Sequence, residues 1–193
     1  MNSDLEQKLY IKYPKLFKER NLPPAHTCMS FGLECSDGWY NIIDRMCFVI
    51  QNYIDQRRAS ISFIKRFNRA LKAAVNGNDK SLRSFYSKSG YKEEKLDEIV
   101  NTTIKRNLPR ESINNEDSPK QLMYTQIKEK FGALRVYSSG GDAYCSGIIG
   151  MAESMSRSVC ERCGNPGKLS GTSWLRTICD KCEQQRTTST ADS

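Results

Sequence analysis

Residues 160–182 read CERCGNPGKLSGTSWLRTICDKC, and what these paired cysteines hold decides how the end of the chain is built. Two residues separate the members of each pair, and fifteen separate the pairs. That spacing lets Cys160, Cys163, Cys179 and Cys182 converge on one tetrahedral ion, the geometry in which four thiolates bind zinc. A C-x-x-C-G turn points both sulfurs of a pair the same way, and Gly164 supplies the unusual φ that such a knuckle needs. Between the pairs, Lys168-Leu169 and Trp174 to Ile178 flank Ser170-Gly171-Thr172, the pattern of a short hairpin. Cys179 and Cys182 then fall either on a second knuckle, which makes a zinc ribbon, or at the start of a terminal helix, which makes a treble clef. Four cysteines leave no coordination position open, so the single expected Zn2+ is structural rather than catalytic.

Two disulfides are the competing use of four cysteines. The chain opens with MNSDLEQKLY, charged and helical and unlike a secretory leader, so the thiols are expected reduced in a cytosol. Cys47 lies in an apolar helical stripe and Cys145 follows a Gly-rich turn; both read as buried, incidental thiols. His26, Cys28 and Cys35 would make an incomplete second metal site, but their spacings match no recurring ligand pattern.

Upstream of the cysteines the pattern is mostly helical. Ser3 to Glu6 has the form of a capping box, followed at helical spacing by Leu5, Leu9 and Tyr13 as far as Pro14. From Trp39 a stripe of Ile42, Ile43, Met46, Cys47, Ile50, Tyr53 and Ile54 predicts the central helix of the core. A second stripe, Ile61, Ile64, Phe67, Leu71 and Val75, predicts a helix over 60–75 that ends at Asn76-Gly77-Asn78-Asp79. Shorter helices follow around Leu82 to Tyr86 and from Glu93 to about Arg106, before Pro109. Residues 110–119, RESINNEDSP, read as an exposed linker. Met123 to Lys128 and Ala133 to Tyr137 read as strands joined through Lys130-Phe131-Gly132, a β-hairpin over 122–138. SSGGD then leads into a helix carrying Ile148, Ile149, Ala152 and Met155 that runs directly into Cys160. The expected fold is α+β: a mainly helical core over 1–159 with a β-hairpin, a zinc-binding module over 160–186 packed on it, and a disordered tail over 187–193.

The chain has a net charge of +8, unevenly placed. From Arg57 to Arg110 there are fourteen Lys and Arg against five Asp and Glu, and elsewhere sixteen against seventeen. A polyanion would therefore be met by the middle of the chain. On the helix over 60–75, Arg58, Lys65, Arg69 and Lys72 fall on one face, roughly opposite the apolar stripe, where they can neutralise phosphates. No apolar run approaches the ~20 residues that span a bilayer.

Catalytic patterns are missing from the sequence. Ser138 to Asp142 is Gly-rich and precedes a helix, yet no phosphate-loop or dinucleotide fingerprint is present, and a turn with an N-cap is the simpler reading. His26 is the only histidine, which leaves little from which to build a triad or a His-rich nuclease centre. Carboxylates are scattered, with no pair whose spacing suggests acid and base work.

The succession KYPKLF from Lys12, CMSFGLECSDGWYNIIDRMC from Cys28, IKEKFGALRVYSSGGD from Ile127, and the terminal CERCGNPGK with CDKC resembles a family of small, uncharacterised phage and prophage proteins. The likeness covers nearly the whole chain. It implies a phage or prophage origin and one integrated fold; with no apolar run long enough to span a bilayer, the expected location is the cytoplasm of a bacterial host cell. It also implies histidine as a frequent alternative at the position of Cys182, an exchange that zinc allows and a disulfide does not. No activity comes with the resemblance.

The functional expectation is accordingly a zinc-binding accessory protein, not an enzyme, that binds nucleic acid through its basic helical middle. The competing expectation is an adaptor or inhibitor that grips a host or phage protein with an exposed residue of the zinc module, Trp174. A sponge for an anionic nucleotide would use the same basic region.

Overall fold

A computed structural model of the chain describes residues 1–111, 118–172 and 174–191. Over these residues the fold is mixed α/β and mostly helical, with six helices and two small sheets. The chain divides into two compact units, Met1–Ile54 with Pro119–Ser193, and Asp55–Ser118, a division that falls inside the segment 1–159. No helix of the described residues is long and apolar enough to cross a membrane.

In the first unit, α1 (Ser3–Lys12) is not capped by the Ser3–Glu6 box that its sequence suggests. Asn2 is the N-cap, its side chain accepting from the Leu5 N–H at 2.9 Å. The Glu6 carboxylate instead accepts from the backbone N–H of Leu33, because that amide begins a strand with no other partner on this side. The strand, β1 (Leu33–Glu34), pairs in parallel with β2 (Lys120–Lys130), which pairs antiparallel with β3 (Ala133–Gly141). β2 and β3 form the expected hairpin, somewhat longer than the strongly patterned residues. SSGG continues β3 rather than turning away, and Asp142 caps α5 (Ala143–Ser156) by accepting from the Cys145 N–H at 3.1 Å.

The stripes over 39–54 and 61–75 lie on one continuous helix, α2 (Tyr40–Val75). Residues 55–60 hold no glycine or proline to interrupt it. In its first half Ile43, Cys47, Ile50 and Ile54 are fully buried with Leu16, Phe17, Tyr124, Ile127 and Leu134 in one core. Phe17 and Tyr124 meet at a tilt, 5.2 Å between ring centres. Cys47 and Cys145 are buried in this core as the sequence suggests, and burial pushes the Cys47 thiol up to about 12.

The second unit is the rest of α2, α3 (Lys80–Lys88) and α4 (Glu93–Arg106) around a small core of Phe67, Ala70, Leu71, Ala74, Leu82 and Val100. Val75, expected in the apolar stripe, is exposed. The helix α4 ends at Asn107, whose φ of +43° makes the left-handed C-cap that asparagine tolerates, two residues before Pro109. Arg110, at the start of the expected linker, lies over the rings of Phe63 and Phe67 at 4.8 and 4.7 Å. The backbone of Arg110 exchanges two 2.9 Å hydrogen bonds with Asn68. Residues 112–117 of that linker lie outside the described residues.

After α5 the chain forms a second small sheet, β4 (Lys168–Ser170) with β5 (Arg176–Ile178), and α6 (Asp180–Ala191). The helix α6 runs as far as Ala191. Asp180 and Glu183 suit its N-terminal dipole, and the Glu183–Arg186 pair at 2.8 Å bridges one turn. Residues 192 and 193 lie outside the described residues.

Candidate metal centre and basic groove

Cys160, Cys163, Cys179 and Cys182 come together, each offering one sulfur, with all four sulfurs within 4.8 Å of one another. Cys163 and Cys179 sulfurs are 3.6 Å apart. A tetrahedral ion with metal–sulfur bonds of about 2.3 Å sets its sulfurs about 3.8 Å apart, whereas a disulfide needs about 2.0 Å. All eight cysteines are unpaired thiols, so the donor set fits a metal ion.

Local structure explains why the sulfurs converge. In the first pair, Gly164 takes φ +78° and donates its N–H to the Cys160 carbonyl at 2.9 Å, closing the knuckle. The hairpin β4–β5 then returns the chain. Cys179 immediately precedes α6 and Cys182 lies on its first turn. Cys160 and Cys182 are buried, Cys179 is half-buried and Cys163 is exposed.

Cys160 and Cys182 are pushed in opposite directions. Burial raises the Cys160 thiol, but the backbone N–H groups of Cys179, Cys163 and Arg162 outweigh it and bring the group down to about 7. Burial and the neighbouring thiols push Cys182 the other way, to about 12. A divalent cation among the sulfurs removes this conflict.

Glu161, between the first two cysteines, is a positioning residue that the spacing argument did not single out. Its buried carboxylate accepts from the Ser36 N–H at 2.9 Å, its carbonyl accepts from Gly38 N–H at 2.7 Å, and its own N–H donates to Thr177 at 2.9 Å. Trp39 donates its ring N–H to the Val159 carbonyl at 2.9 Å. Gly38 has no room for a side chain: a Cβ there would lie 2.2 Å from the Cys160 carbonyl oxygen. The SDGW stretch that opens the central helix therefore also cradles the first knuckle. A glycine immediately before a helix start was the available signal, but its reason lies 120 residues downstream.

His26 and Cys28 are exposed and Cys35 is buried, and they do not gather into a ligand group. Burial holds the Cys35 thiol up at about 12.

Of the four basic residues proposed from the helix face, Lys65, Arg69 and Lys72 are exposed and Arg58 is half-buried. Arg69 among them lines a depression. That depression is a groove of about 540 Å³ between α2 and α3, where Arg66, Arg69, Lys80 and Lys88 meet the hydroxyls of Ser81 and Ser84. Phe85 packs on Phe63 and Phe67 at 4.9 and 5.3 Å and holds α3 against α2. Ala70 and Ala73 are too small to fill the space between them. No described carboxylate lines the groove, and none of its four cations forms an ion pair among the described residues. Two acids of the same unit, Asp79 and Asp97, pair with Arg83 at 2.5 and 2.6 Å. Sequence reasoning missed Arg66, Lys80 and Lys88 because one helix wheel cannot show what a second helix adds.

Trp174 is 67% exposed, with the Arg176 guanidinium 5.8 Å from its ring centre.

Comparison with protein-family models, curated proteins and solved structures finds no match.

Proposed function

We propose that the protein is a nucleic-acid-binding accessory protein of phage type, in which one structural zinc ion locks the C-terminal module and the groove between α2 and α3 takes the phosphate backbone. The observation that carries this reading is the convergence of four cations and two hydroxyls on a groove with no described carboxylate. Phosphate oxygens are the ligand that such a lining compensates, by charge and by hydrogen bonds. Lys80 and Ser81 lie on the first turn of α3, where the helix dipole also favours an anion. The metal's role is structural, since four thiolates close its coordination shell. The order knuckle, hairpin, helix supports a treble clef over a ribbon.

The test is a titration of duplex and single-stranded oligonucleotides against the zinc-loaded protein at increasing salt. Four neutralised phosphates give a log–log slope of about −3.6 on duplex and about −2.8 on a single strand. Reversing Arg66, Arg69 and Lys88 to Glu should abolish duplex binding while zinc content and helicity stay unchanged, because these side chains are exposed. Lys72→Glu, on the same helix but outside the groove, should weaken binding far less; an equal loss would mean a diffuse basic surface. No salt-sensitive binding at low ionic strength ends this reading and leaves a protein-binding adaptor in its place.

A further inference from the structure

The turn between β2 and β3 breaks a local rule. Lys130 pairs with Ala133, so Phe131 and Gly132 are its two central residues, and both have positive φ, +54° and +75°. Asparagine, aspartate and glycine suit the first of these positions, and phenylalanine does not. The ring gains no burial in exchange, being 67% exposed. A residue that is locally unfavourable and adds nothing to the core is a candidate for function.

Its surroundings indicate which function. Thr177 donates its hydroxyl to the Gly132 carbonyl at 2.6 Å, and a Cβ on Gly132 would lie 3.4 Å from the Arg176 backbone. The Phe131 turn therefore sits against β5, the strand that follows Trp174. Both exposed rings carry a cation: Lys130 is 5.3 Å from the centre of Phe131, and Arg176 is 5.8 Å from that of Trp174. Further along the same hairpin, Lys128 is 5.5 Å from the exposed ring of Tyr137. Acids near this surface are already engaged. Glu129 accepts from the Gly132 N–H at 2.7 Å, Asp180 pairs with Lys168 at 2.8 Å, and Glu183 pairs with Arg186 at 2.8 Å.

We infer that Phe131 and Trp174 form a stacking platform for unpaired nucleobases, with Lys130 and Arg176 meeting the phosphates of the same strand. Exposed aromatics interleaved with cations suit a chain of flat rings joined by anions; a duplex hides its base faces and cannot use them. An apolar protein surface would use the rings but leave the cations unmatched. This inference rests on the nucleic-acid reading above and names the form taken, a single strand.

The two tryptophans make the test direct. Trp39 is fully buried and Trp174 exposed, so quenching of emission by added ligand reports on Trp174, with Trp174→Phe as the control that removes the signal. Zinc-loaded protein is titrated with a 12-nucleotide oligo-dT and with a duplex of the same length. The expected result is quenching by oligo-dT and not by duplex, with affinity for oligo-dT lowered about 5- to 150-fold in Trp174→Ala and again in Phe131→Ala, the loss of one stacked base each. Oligo-dT bound with unchanged emission and with wild-type affinity in both variants overturns the platform while leaving the groove reading in place. Binding of neither form overturns both. Emission that follows protein concentration rather than oligonucleotide assigns the patch to a second copy and overturns the inference.

Discussion

The two units are held by different means. The first carries sixteen Lys and Arg against thirteen Asp and Glu, the second fourteen against nine in half the length. In the first, a large core is tied to the cysteine module by hydrogen bonds between residues more than a hundred positions apart, Ser36 to Glu161 and Trp39 to Val159. In the second, three helices share a cluster of six buried residues and a set of aromatic contacts, and the long basic side chains of α2 and α3 that line the groove are exposed. The first unit can depend on a metal because its knuckle is also a structural partner of the central helix. The second has only its small core, so its long basic side chains remain on the surface.

The largest expected effect breaks this contrast at the metal. Cys163→Ser leaves three ligands, and structural zinc sites are worth roughly 10–16 kcal/mol in isolated peptides. Loss of zinc, measured by elemental analysis, should come with rapid hydrogen exchange in 160–182 and in the segment around Gly38 and Trp39. Exchange in α3 and α4 should stay unchanged. Cys47→Ser, in the core but away from the sulfurs, should keep its zinc. Equal zinc loss in both variants, or exchange spreading evenly into α3 and α4, would remove the distinction between the units.

A smaller effect tests it from the other side. Leu82 is fully buried in the core of the second unit, and Leu82→Ala should cost about 2–5 kcal/mol. A core of six buried residues cannot absorb that loss, so α3 and α4 should lose exchange protection first, together with the groove and its oligonucleotide affinity. Zinc content should not change. A single cooperative transition that takes the metal with it would show one folding unit rather than two.

The sequence was most legible where one local rule acts alone. The cysteine spacing named all four residues that gather, the stripe from Ile42 to Ile54 named the buried face of α2, and KFG placed the hairpin turn. It was least legible where two distant segments share a job. Glu6 looks like half of a capping box, but its carboxylate is used by Leu33. Lys65, Arg69 and Lys72 share a helix face, yet the groove takes Arg69 with Arg66 and two lysines of α3. Nothing in 55–60 tells that two stripes are one helix, since an uninterrupted helix is marked only by the absence of breakers.

The smallest expected effect concerns Phe131, where folding and function pull apart. Asparagine accepts a φ of +54° with less strain than phenylalanine, whose side chain crowds the backbone there. Phe131 is exposed, so its removal empties no cavity. Phe131→Asn should therefore raise the stability of the first unit by up to about 1 kcal/mol, visible as a shift in denaturant midpoint with unchanged slope. Oligo-dT affinity should fall in the same variant. Had the ring been retained for packing, stability would fall instead, and the turn would belong with Trp39 and Leu82 as part of the fold. A gain in stability joined to a loss of binding separates the two roles in one side chain, because no folding benefit then remains to account for phenylalanine at this position.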